Sequence, residues 1–216
     1  MCFYSIEQIS NIYAVSLNMD IMQALPIAQR VLKHYDITFL NPKEWVTLLQ
    51  YGSIKSLKKG EDFITANQIN TKIAFILSGA FRFFYEKNDN EITCLLGFEN
   101  NLIGSFESNI LKQPCTQTIQ AIEDSELFII DYKDLEKLYD ISPKFERVGR
   151  LILEYYLAYL QQRITSYLLE TPEERYRRLI EETPNILHRV PLQYIASYIG
   201  VTPVSLSRIR KRILKK

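Results

Sequence analysis

The 216 residues are 47% hydrophobic and 24% charged, with 26 basic side chains against 25 acidic ones and a net charge of +1. This composition, with only 7 glycines and 8 prolines, suffices to bury a core and excludes a disordered, collagen-like or low-complexity chain. No apolar run reaches the roughly 18 residues of a membrane-spanning helix, and the opening MCFYSIEQIS lacks a signal-peptide pattern, so a cytoplasmic protein without membrane contact is expected.

The first 20 residues have weak periodicity and read as a short helical or loose extension. Asn41-Pro42 then starts a helix with Trp45, Leu48 and Leu49 on its apolar face, and Gly52 is expected to end it. From Ser53 to Ile130 the pattern changes to short, β-branched and aromatic runs separated by turn residues. These are Ile54 to Leu57, Thr71–Leu77, Ala80–Glu86, Glu91–Phe98, Thr116–Ala121 and Glu126–Ile130, punctuated by Lys59-Gly60-Glu61, Ser78-Gly79, Lys87-Asn88-Asp89-Asn90 and Glu123-Asp124. Such runs predict an antiparallel β-barrel or sandwich. Cys2, Cys94 and Cys115 are too few and too scattered for a disulfide framework, a CxxC metal site or a four-thiolate cluster.

Asp131 can cap a short helix through Tyr139. Ser142-Pro143 restarts a helix of roughly 28 residues, about 42 Å long, ending before Pro172. It carries two apolar stripes: Phe145, Val148, Ile152, Tyr155 and Tyr159 on one, Leu153, Tyr156, Leu160, Ile164 and Tyr167 on the other. One stripe can cover the β unit and the other can meet a second copy, which predicts a homodimer held along Ile152, Tyr156, Leu160, Ile164 and Tyr167. A single-chain core helix is the alternative.

The charge is not uniform. Residues 171–216 hold ten basic and four acidic side chains, a net +6, whereas residues 1–170 carry a net −5. An acidic body with a basic tail is expected where one end meets a polyanion. Within that tail, Thr171-Pro172 opens one helix and Pro184 ends it. The stretch LQYIASYIGVTPVSLSRIRK then places small Ala196, turn-forming Gly200 and apolar Leu206 at helix-turn-helix spacing. Thr202 caps the second helix, and Thr202, Val204, Ser205 and Arg208 are expected at base edges of double-stranded DNA, with Arg208 bidentate to guanine. Gln193, Ser207, Arg210, Lys211 and Arg212 are expected at phosphates.

The order of parts resembles the Crp/Fnr family of bacterial transcription regulators, carried by Gly79, Gly104, Ala196, Gly200, Arg208 and the ending GVTPVSLSRIRK. The resemblance implies an α+β protein: an N-terminal antiparallel β-roll sensor (a double-stranded, jelly-roll-like β-helix) over residues 1–141, a long dimerisation helix over 142–170, and a winged-helix-like helix-turn-helix domain over 171–216. It implies a homodimer on palindromic DNA, with RNA polymerase as a further partner. Val204 departs from the glutamate of many members, and the linker Asn185–Arg189 leaves room for only a small wing.

The resemblance also locates an effector pocket at Gly104, Ser105, Phe106, Lys112, Cys115 and Thr116. Its ribose-binding glutamate is Ser105 here and its phosphate-binding arginine is Cys115, so the contacts to cyclic AMP are missing and the small-molecule effector is unassigned. No cofactor or metal is expected, and His34 and His188 read as surface residues. Without a GxSxG, P-loop or HExxH motif an enzyme is not expected. A cyclic-nucleotide-responsive regulator with a divergent phosphate cassette and a module whose helix-turn-helix contacts protein are the competing readings.

Overall fold

A computed structural model describes residues 33–214. The expected N-terminal extension, Cys2, Lys215 and Lys216 lie outside those residues. Helix α1 (Pro42–Gln50) starts at a capping box. The Asn41 side chain accepts from the Lys43 and Glu44 N–H groups while the Glu44 carboxylate accepts from the Asn41 N–H, satisfying three donors that a helix start leaves open. Tyr51 caps the helix, and Gly52, expected to be its end, opens the first strand instead.

Eight strands follow: β1 (Gly52–Leu57), β2 (Asp62–Ile64), β3 (Lys72–Ser78), β4 (Phe81–Lys87), β5 (Asn90–Gly97), β6 (Leu102–Gly104), β7 (Thr118–Ala121) and β8 (Ser125–Asp131). They form two antiparallel four-stranded sheets, ordered β1-β8-β3-β6 and β2-β7-β4-β5. The alternation of a strand assigns its two faces to two cores. Ala74, Ile76, Leu127 and Ile129 face Phe81, Phe83, Leu95 and Ile119 across the sandwich. Ile73, Leu77, Phe128 and Ile130 point outward and meet the helices. Gly79 makes the β3–β4 turn possible at φ +101°, with no room for a Cβ, which would lie 2.0 Å from the Ser125 hydroxyl oxygen. Helix α2 (Phe106–Leu111) sits between β6 and β7.

Asp131 caps α3 (Tyr132–Ile141), and Ser142 caps α4 (Pro143–Leu169), a 27-residue helix. Phe145, Val148 and Ile152 of α4 are buried with Trp45, Leu49 and Leu138 on the outer face of the first sheet. A second capping box, Thr171 with Glu174, starts α5 (Pro172–Glu182). The expected linker is helical in α6 (Ile186–Arg189), where Ile186 is fully buried and its carbonyl accepts from the Val190 N–H. No wing strand is present in this connection, because its residues are spent on that turn. Helices α7 (Leu192–Ile199) and α8 (Pro203–Ile213) complete the order.

The C-terminal helices share a third core with the sandwich. Ala80, Leu96 and Ile122 from the outer side of the second sheet are buried with Tyr176, Leu179, Ile186, Ile195, Ile199, Leu206 and Ile209. The basic unit is therefore seated on its own chain's β unit.

Candidate DNA interface and effector pocket

Helix α7 ends where Gly200 adopts φ +78°, and the Val201 N–H closes back onto the Ala196 carbonyl. Thr202 then caps α8, its hydroxyl accepting from the Ser205 N–H, with Pro203 at the first helical position. Leu206 and Ile209 fix α8 to the third core. That anchoring leaves Thr202, Val204, Ser207, Arg208 and Lys211 exposed on one side of the helix, with Ser205 half-buried among them. Gln193 is exposed at the start of α7. Among the described residues Arg208, Arg210 and Lys211 make no ion pair, whereas Arg212 lies 3.3 Å from a Glu173 oxygen.

The other basic residues of this unit turn inward. Arg175 donates to the carbonyls of Ile199, Ser166 and Glu170, tying α5 to the helix-turn-helix and the end of α4. Arg189 grips the Glu99 carboxylate at 2.7 and 2.9 Å and donates to Glu123 at 3.1 Å, joining the linker to two loops of the sandwich. Burial pushes the Glu99 carboxyl up, but Arg189 and backbone N–H groups, including that of Gly79, outweigh it and hold Glu99 below the ordinary glutamate value.

Two further arginines, absent from the expected sites, complete this joint. Arg163 of α4, only 7% exposed, donates to the Cys94 carbonyl of β5 at 3.3 Å and to the Tyr198 carbonyl of α7. Its guanidinium lies 3.4 Å from the Tyr198 ring centroid and 4.3 Å from that of Tyr167. Arg82 of β4 is held by Gln120 and Glu91 and is sandwiched at 4.0 Å between the Phe84 and Tyr194 rings. The signal for Arg82 was a lone arginine within an apolar run, AFRFFYE, whereas Arg163, in YLQQRITSYLL, has polar neighbours and carries no such signal.

Along α4 the expected dimer positions divide. Ile152 is buried in its own chain, Tyr156 and Leu160 are half-buried against the sandwich side, and Ile164 and Tyr167 are exposed. The Tyr167 hydroxyl also donates to the Tyr198 carbonyl. Leu153, Leu157, Ile164 and Leu168 form an uncovered apolar row at steps of four, seven and four.

The expected effector residues are scattered. Gly104 ends β6, and buried Ser105 caps α2, its hydroxyl accepting from the Ser108 N–H. Cys115 is packed in the sandwich core. Phe106 stacks 5.5 Å from Tyr156, and Lys112 leaves the loop with its ammonium 5.6 Å from the Tyr132 ring centroid on α3. Thr116 donates to Glu107 at 2.8 Å, and Tyr85 lies beside both. A carboxylate thus stands where an anionic phosphate would need a cation. Cys94, near Arg163 and Gln117, has its thiol pushed up to about 11 by burial, which keeps it protonated at neutral pH.

Residues 54–142 match the family model described as "Cyclic nucleotide-binding domain". The sandwich has that fold. Among solved structures, the chain is similar to the c-di-GMP responsive global regulator CLP of Xanthomonas campestris, at 16% identity and TM-score 0.66 over 81% of this chain and 92% of that one. It is also similar to a CooA variant from Carboxydothermus hydrogenoformans, at 16% identity and TM-score 0.62 over 86% and 84%. These neighbours extend the likeness beyond the cyclic nucleotide-binding fold into the C-terminal helices, and are of the Crp/Fnr type. A curated relative, cyclic GMP-binding protein C of Dictyostelium discoideum, is 30% identical over 108 residues, or 49% of this chain. This chain spans about 4% of that protein's length. No helix among the described residues is long and apolar enough to cross a membrane.

Proposed function

We propose that the chain is a sequence-specific DNA-binding transcription regulator of the Crp/Fnr type, working as a homodimer through α4 and controlled by a signal at the β unit. The observation that carries this reading is the pair α7 and α8: a glycine turn at φ +78°, a Thr202 cap, and Arg208 exposed on the outer face of α8 with no carboxylate partner among the described residues. Arg208 reads a base edge, and Arg210 and Lys211 hold phosphates. The row from Leu153 to Leu168 is the seam that places two copies of α8 about one DNA turn apart.

A signal other than an ordinary cyclic nucleotide is supported by Ser105 and Cys115 being committed to a helix cap and a core, and by Glu107 on Thr116. A cyclic nucleotide response through a divergent pocket is the second reading, favoured by the family match over residues 54–142. Calorimetric titration with cyclic AMP and cyclic GMP separates the two.

The deciding experiment selects bound fragments from a random DNA pool and compares them with unselected DNA. Arg208→Ala is expected to lose about 1–3 kcal/mol on the selected site and little on unselected DNA, while Lys211→Ala weakens both alike. Absence of any selected sequence would refute base reading; equal losses on both DNAs for Arg208→Ala would refute its role.

A further inference from the structure

Among the described residues an apolar opening lies outside the sandwich interior, on the other side of the first sheet. A cavity of about 450 Å³ lies between β3, the short helix α2 and the helices α3 and α4. Ile73 and Phe75 form its floor and Leu135 and Tyr132 one wall; it opens past exposed Ile110 of α2, beside Leu153 and Leu157 of the row proposed as the dimer seam. Its volume falls in the range of about 300–1,000 Å³ typical of small-molecule sites. Ile110, exposed on α2, borders it, so the hollow is open to solvent and not a sealed packing defect.

The walls are almost wholly apolar, so they select a hydrocarbon or aryl body. The rim adds one specific feature. Lys112 caps α2 in the left-handed conformation, φ +56°, which sends its side chain across to the Tyr132 ring that lines the cavity. It makes no ion pair among the described residues. We infer that this cavity binds an amphipathic monocarboxylate, with its apolar body against Phe75 and Leu135 and its carboxylate at the Lys112 ammonium. The site is separate from the helix-turn-helix, and its test does not depend on DNA binding.

The test is calorimetric titration of the full chain with decanoate, 1-decanol and decyltrimethylammonium, below the concentration at which each aggregates. Decanoate is expected to bind once per chain and more tightly than the cation. Lys112→Gln should weaken decanoate about three- to fivefold, the scale of an exposed ion pair, and leave decanol unchanged. Lys112→Glu, on an exposed side chain whose loss does not touch the core, should reverse the preference between decanoate and the cation. Leu135→Trp, which fills the hollow, should abolish binding of all three with the thermal transition retained. Failure of decanoate to bind the folded protein, or an unchanged preference in Lys112→Glu, would overturn the assignment. So would sedimentation showing that decanoate converts dimers to monomers, since the cavity would then belong to a second copy.

Discussion

Arg163 is the residue whose replacement should do most to separate the two halves of this chain. It is buried with no carboxylate partner among the described residues, and its charge is balanced by the Cys94 and Tyr198 carbonyls, the Tyr167 hydroxyl and aromatic faces. Each hydrogen bond from a charged donor contributes about 1.5–3 kcal/mol and the desolvated stack on Tyr198 about 2 kcal/mol, set against a desolvation cost of several kcal/mol. In Arg163→Met that cost disappears with the charge, and the Tyr198 carbonyl keeps the Tyr167 hydroxyl at 2.5 Å. The Cys94 carbonyl loses its guanidinium, so a net loss of about 2–3 kcal/mol is expected. Arg163→Lys should be worse, about 3–5 kcal/mol, because an ammonium stays buried yet cannot span Cys94 and Tyr198 as the planar fork does. The assay is urea unfolding at fixed protein concentration, followed by circular dichroism for the helices and by the fluorescence of Trp45, the single tryptophan, for the β unit. Lysine behaving like arginine, or methionine costing less than about 0.5 kcal/mol, would refute the claim that fork geometry holds this joint.

Three shorter predictions concern other parts of the frame. Because Glu99 sits below its ordinary value, the Arg189 clamp stabilises fully above about pH 4.3 and its contribution is lost as pH falls through the folded value. Arg189→Gln should therefore lower the urea midpoint near neutral pH and flatten its fall toward acid; a parallel fall in both proteins would contradict the clamp. Gly79→Ala forces a Cβ into φ +101° and against Ser125, and should cost about 2–3 kcal/mol in thermal unfolding, a shift of under 0.5 kcal/mol refuting it. Leu157→Glu and Ile164→Glu, at side chains 66% and 61% exposed, should yield monomers in sedimentation without loss of folding, and an unchanged mass would displace the seam from this row.

Much of this frame was legible because its signals are local. Asn41-Pro42, Ser142-Pro143 and Thr171-Pro172 each pair a capping side chain with a proline that needs no donor, and each opens a helix where expected. The strands β3, β4, β5 and β8 announced themselves by length and β-branched content, whereas β2 and β6, three residues each, are shorter than any alternation can mark. The helical turn at Ile186 was hidden because a four-residue helix carries no period; the burial of one isoleucine decides it. Least legible were the arginines of the joint. Arg189 counts as basic tail in the sequence, yet its partners, Glu99 and Glu123, lie 90 and 66 residues away. The scatter of the effector residues is of the same kind. Ser105, Cys115 and Lys112 are neighbours in sequence, but a helix cap, the sandwich core and a left-handed turn send them in three directions.

This division of the arginines changes what the tail's charge can do, and the change is measurable. A naive reading gives every basic residue of the tail to DNA. In the folded chain Arg175 is spent on carbonyls, and Arg177, Arg178, Arg189 and Arg212 face glutamates. Among the described residues Arg208, Arg210 and Lys211 remain, with Lys215 and Lys216 beyond them, and one of the three is assigned to a base. Two to three phosphate contacts per copy from these residues make about four to six in a dimer, so log K against log salt should have a slope of about −4 to −5, which Lys215 and Lys216 of the two copies can steepen by at most about −4. Were all the basic side chains of both tails engaged, the slope would exceed about −15. Filter binding across salt concentrations at one selected site distinguishes these cases. A slope steeper than about −10 would mean that Arg189 and its neighbours leave their carboxylates on binding DNA, and that the seating of the helix-turn-helix on the second sheet is given up in the complex. A slope near −5 would mean that α8 grips DNA from the seat it already occupies.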